Sequence, residues 1–147
     1  MISDQEIIAE LNRIASRHGG LLKPEDVVHA AASDKSPLHS RFDWEDTEAA
    51  RKWRLHQARN LIRVTVSYIG GSKEDLVRVF VSLTPDREDG GYRSTVAVLS
   101  DPGYRKQLLA DALSEMKCFE QKYAALRELV EVFKAMRESA GRLKKIM

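Results

Sequence analysis

Apolar positions near the start of the chain recur at helical spacing. Ile7, Ile8, Leu11, Ile14 and Ala15 share one face until Gly19 and Gly20, and Ser3 with Glu6 forms a capping-box pattern, so the spacing predicts a first helix. Pro24 suits the opening position of a second helix. Glu25 and Asp26 complement its N-terminal dipole, Val27, Val28 and Ala31 give it a short apolar face, and it should stop near Ser33. The stretch from Asp34 to Trp44 has room for one further turn beginning at Ser36 and Pro37, with Leu38, Phe42 and Trp44 folded back on the core. A third helix is predicted from about Asp43 to Ile62, with Trp53, Ala49, Ala50 and Leu61 on its buried side.

From Arg63 onward the period falls to two. Val64, Val66 and Tyr68 share one face, and Val77, Val79, Val81 and Leu83 share one face of a second run, an antiparallel pair joined by a loop from Ile69 to Asp75. Pro85 to Gly91 reads as a polar connection. Tyr92 to Leu99 fits a third strand or a short helix, and Ser100 or Asp101 with Pro102 caps the last helix. There Leu109, Ala112, Met116, Phe119, Tyr123, Leu126, Val130 and Phe133 alternate spacings of three and four, which is a heptad seam. Neither proline nor glycine interrupts Tyr104 to Ala140. A continuous helix of that length reaches over about 50 Å, more than a small domain covers alone. Leu109, Met116, Phe119, Tyr123, Leu126, Val130 and Phe133 are therefore expected to form a homodimer interface. The competing expectation is that the seam packs on the chain's own N-terminal helices.

The pattern predicts an α+β, mainly α chain. Residues 1–83 form a three-helix plus β-hairpin unit, winged-helix-like in plan, 84–100 a connector, and 101–147 a long C-terminal coiled-coil helix that dimerises. With 24 Lys and Arg against 22 Asp and Glu the surface is nearly balanced, so any basic patch must arise from local arrangement. A single cysteine, Cys118, excludes an internal disulfide and fits a reducing compartment. The acidic N-terminus does not read as a signal peptide, and no apolar run reaches membrane-spanning length, so a cytoplasmic location with no membrane partner is expected.

Chemistry-bearing motifs are sparse. His18, His29, His39 and His56 fall in different elements without metal-ligand spacing, and neither a phosphate-binding glycine loop nor a nucleophile elbow is present. No catalytic residues, metal or cofactor are expected, and the protein reads as a non-enzyme. The third helix carries the most suggestive pattern: Lys52, His56, Arg59 and Arg63 recur at four, three and four, flanked by Arg51 and Arg54. A phosphate backbone fits such a stripe. Equally, Glu45 and Glu48 at one end and Arg59 and Arg63 at the other complement the helix dipole on a solvated face. Three helices followed by a hairpin place the basic helix in a recognition position, although the connection from Ser33 to Asp43 is long for a helix-turn-helix turn.

Two stretches, SPLHSRFDWEDTEAARKWRLHQARNLI from Ser36 to Ile62 and FVSLTPDREDGGYR from Phe80 to Arg93, precede a helix containing FEQKYAALRELVEVF. From Lys23 to Met136 the chain resembles a family of small bacteriophage and prophage proteins. The resemblance implies a phage origin and action in the bacterial cytosol, and it carries no catalytic residues across. The functional expectation is a dimeric DNA-binding or DNA-associated accessory protein. The alternative is an interaction protein that docks on a host or phage protein without touching nucleic acid.

Overall fold

The computed structural model describes residues 1–67 and 75–147, which form two compact units, Met1–Ser100 and Asp101–Met147. The strand position of Tyr68 and most of the loop from Ile69 to Asp75 lie outside the described residues.

The first unit opens with helix α1, Asp4–Arg17. Ser3 caps it as the sequence predicts: its hydroxyl accepts from the Glu6 amide, and the Glu6 carboxylate accepts from the Ser3 amide and hydroxyl. Those bonds hold the Glu6 carboxyl below its ordinary pKa. Gly19 and Gly20 both take positive φ, and the Gly20 amide bonds back to Ala15, which turns the chain into strand β1, Leu21–Leu22. Helix α2, Pro24–Ala31, begins on its proline. The long connection then folds down with a 3₁₀ turn at His39–Arg41, burying Leu38 and Phe42. Helix α3, Glu48–Val64, is capped by the Thr47 hydroxyl and packs on α2.

The two-residue periodicity resolves into two sheets rather than one hairpin. Strands β2, Val66–Ser67, and β3, Val77–Arg78, pair antiparallel, Val66 opposite Arg78. The chain then changes partner. Val79 donates to Thr65 and accepts from Thr95, and β4, Phe80–Val81, pairs with β5, Tyr92–Ser94. β1 joins the other edge of β5, giving a three-stranded antiparallel sheet in the order β1-β5-β4. Alternation shows which face a residue takes but not which strand lies beside it, so the exchange of partners left no trace in the pattern. Tyr92 to Leu99 is both of the things predicted: β5 runs directly into a short helix α4, Thr95–Ser100.

The expected boundary at Leu83 therefore moves to Ser100. Residues 84–100 are not a connector, because β5 is the central strand of the sheet. The turn between β4 and β5 is tied down along its length. Arg93 donates to both carboxylate oxygens of Asp86, at 2.7 and 2.9 Å, the Ser82 hydroxyl donates to the Gly91 carbonyl, and the Gly91 amide donates to Asp86. A Cβ on Gly91 would lie 2.5 Å from Leu21 Cδ1 and 2.9 Å from Leu21 Cγ. Gly91→Ala is accordingly expected to destabilise the unit by about 1–3 kcal/mol through forced movement of Leu21. A lowered urea midpoint with an unchanged slope is the signature, and an unchanged midpoint would show that Leu21 yields freely. The core beneath this sheet gathers Ile7, Leu11 and Ile14 of α1, Leu22, Val27, Leu38, Ile62 and Phe80.

In the second unit the long C-terminal segment is helical, but it is not one continuous helix. Helix α5, Pro102–Tyr123, runs for 22 residues from an Asp101 cap. The chain breaks at Leu126, which is extended, passes a 3₁₀ turn at Arg127–Leu129, and returns as α6, Val130–Ile146. The expectation that the absence of glycine and proline forbids a turn is thus overturned. Phe133, 5% exposed, sits edge-on to Phe119 with centroids 6.0 Å apart, and Arg137 donates to Glu120 at 2.8 Å. These cross-helix contacts outweigh the small propensity cost of interrupting a helix at Ala124 to Leu126. The two helices form an antiparallel hairpin.

The expected intermolecular seam is consequently used within the chain at its centre. Phe119 and Tyr123 stack on each other at 5.0 Å, Phe119 meets Phe133, and Met116 lines the crevice between α5 and α6. Leu109 is half-buried on α5. Leu126 and Val130 flank the turn and remain 47% and 55% exposed.

Candidate nucleic-acid interface

The residues of α3 separate by what lies beneath them. Ala50, Arg54, Ala58, Leu61 and Ile62 form its buried face. At about 100° per residue, Lys52, His56, Arg59 and Arg63 lie on the opposite side, and all four are exposed. The structure thus brings four of the six predicted basic residues onto one solvent face.

The other two are differently employed. Arg54 does not belong to the interface: it is 8% exposed, and its Nη1 donates to the carbonyls of Asp43 and Glu45 at 2.8 and 2.9 Å. Its guanidinium lies 5.2 Å from the centre of the Trp44 ring. Trp44 in turn stacks on His39 at 5.0 Å and donates its indole N–H to the His39 carbonyl, while His39 Nδ1 bonds the Ala31 carbonyl at 2.9 Å. A carbonyl only accepts, so Nδ1 carries the proton. Arg54 is therefore the strut that holds the connection before α3 against α2. The sequence carried a signal of this: Arg54 lies four residues from both Ala50 and Ala58, inside the apolar stripe.

Arg51 is exposed but bonded to Asp46 at 2.8 Å, which holds the Asp46 carboxyl below its ordinary pKa. Lys52 lies 3.6 Å from Glu48 one turn back. His56 Nε2 is 3.1 Å from the Asn60 amide, one turn on. The basic face thus narrows toward its C-terminal half, where Arg59 and Arg63 stand.

Trp53 departs from expectation. It is not core: 52% of it is exposed, and its ring stacks on His56 with centroids 5.1 Å apart. The core face is centred on Arg54 and Ala58, which rotates Trp53 to the edge of the helix beside the basic stripe. Sequence periodicity treats Trp as apolar and assigns it inward, whereas an amphipathic ring at a boundary angle rests on a neighbouring side chain and faces water. An exposed indole flanked by cations is equipped to stack on a planar partner or to anchor a macromolecular contact.

Among the described residues no group of three or more His, Cys, Asp or Glu is placed to hold a metal ion, and no helix is long and apolar enough to cross a membrane. No protein-family model matches the chain, and neither a curated protein nor a solved structure shows significant similarity to it.

Proposed function

We propose that the protein is a phage-encoded, non-enzymatic DNA-binding or DNA-associated accessory protein that acts as a dimer in the bacterial cytosol. The solvent face of α3, with Lys52, His56, Arg59 and Arg63 aligned beside an exposed Trp53, is the observation that carries this reading. The order of elements supports it. A helix, a strand, two helices and two further strands, with the first strand paired to the last, is the plan of a winged helix; α3 stands in the recognition position and the β4–β5 turn is the wing. Phosphate contacts displace counterions, so binding of random duplex DNA should fall steeply with salt, with a log–log slope of about −0.9 per phosphate neutralised. Titration of fluorescent duplex at several salt concentrations tests this, and affinity that is absent or indifferent to salt would remove the reading.

A second reading has its own observation. The turn from Asp86 to Gly90 carries Asp86, Glu88 and Asp89 against Arg87 alone, a sign that repels phosphate. In that case the same α3 face, with Trp53 as anchor, docks on a host or phage protein, and the DNA titration is flat.

A further inference from the structure

Helix α6 has an apolar stripe that its hairpin partner does not cover. Toward α5 it turns Phe133, Arg137, Ala140 and Lys144, the residues that meet Phe119 and Glu120 or line the crevice with Leu113 and Lys117. Roughly a quarter turn away, at about 100° per residue, runs a second row: Leu129, Val132, Met136, Ser139, Leu143 and Ile146. Its spacings are three, four, three, four and three, a strict heptad over the whole helix. Val132 is 46% exposed, Ile146 is 80% exposed, and the others are half-buried.

We infer that this row is covered by α6 of a second copy, running antiparallel across a two-fold axis near Arg137 and Glu138; the inference rests on the dimeric part of the proposed function and names its interface. The row is self-complementary in that direction. With a positions against d positions, Leu129 meets the partner's Ile146, Val132 meets the partner's Leu143, and Met136 meets the partner's Ser139. The flanking positions then agree in both size and charge. Ala135 and Ala140 each face their own copies, leaving room for close approach, and Glu128 faces the partner's Arg142 twice over. Both charged residues are exposed, and neither has an ion-pair partner among the described residues. Arg142 leans on the Ser139 hydroxyl at 3.3 Å, at the edge of the row. A parallel pairing sets Ser139 against the partner's Ser139 and offers neither Glu128 nor Arg142 an opposite charge. Within one chain the two residues are fourteen positions apart, about 20 Å along a helix, so they do not pair in cis.

The test is a charge swap in the full chain, read by sedimentation equilibrium without DNA. Wild type is expected to be a dimer at micromolar concentration. Arg142→Glu creates two like-charge contacts and should raise the dimer dissociation constant roughly tenfold. Adding Glu128→Arg to that variant should bring it back to within about threefold of wild type, because the reversed pair is again complementary. A monomeric wild type, or a double variant no better than the single one, overturns the interface. Circular dichroism of each variant confirms that helix content is retained. A dimer lacking DNA affinity would support the interface while removing the DNA reading, and a monomer with salt-dependent DNA affinity would do the reverse.

Discussion

Exchanging Arg59 and Arg63 together for glutamate is expected to weaken duplex binding by roughly tenfold or more at moderate salt, and to reduce the salt slope by about 2. Both side chains stand on the exposed face of α3, clear of the Ala50, Ala58 and Leu61 side that meets the core. Thermal stability should therefore stay within about 0.5 kcal/mol of wild type, as for surface substitutions generally. The pair is the more informative choice because Arg51 and Lys52, at the other end of the stripe, already have Asp46 and Glu48 as partners. Reversing Arg51 or Lys52 would change an existing ion pair together with any phosphate contact. Fluorescence anisotropy over a salt series measures both affinity and slope. An unchanged slope in the double variant would take α3 out of DNA recognition and leave its face to a protein partner.

Arg54→Ala should do the opposite, lowering stability sharply without a specific effect on DNA. The guanidinium makes two charge-assisted bonds to the carbonyls of Asp43 and Glu45 and covers the Trp44 ring, and it is 8% exposed. Losing those bonds in a buried setting is expected to cost about 3 kcal/mol. For a chain of this size that corresponds to a fall in Tm of roughly 6–12 °C. Arg54→Lys should recover only part of it, because an ammonium does not span two carbonyls with the planar fork of a guanidinium. Calorimetry of the three proteins, with DNA affinity measured well below the lowest Tm, separates the two roles. A variant that keeps its Tm and loses DNA affinity would return Arg54 to the interface.

The helices of the first unit were legible because their causes are local. A capping box at Ser3, a proline at Pro24, a double glycine after His18 and an apolar face at three and four residue intervals each act within a few positions. The solvent face of α3 was legible for the same reason, since a regular helix converts spacing directly into direction. What only the tertiary structure decided were matters of partner. Val77 and Phe80 continue one alternating pattern yet hydrogen-bond to different strands, so the central place of β5 and the extension of the unit to Ser100 were invisible in the period. Arg54 and Trp53 exchanged their expected positions because the core face is set by what packs against α3, and a rotation of one residue's width moves a guanidinium inward and an indole out. The break at Leu126 is the plainest case. Nothing local stops that helix. It ends because Phe133 gains more by burial against Phe119 than the backbone loses in one interrupted turn, a balance between residues fourteen positions apart that a local pattern does not contain.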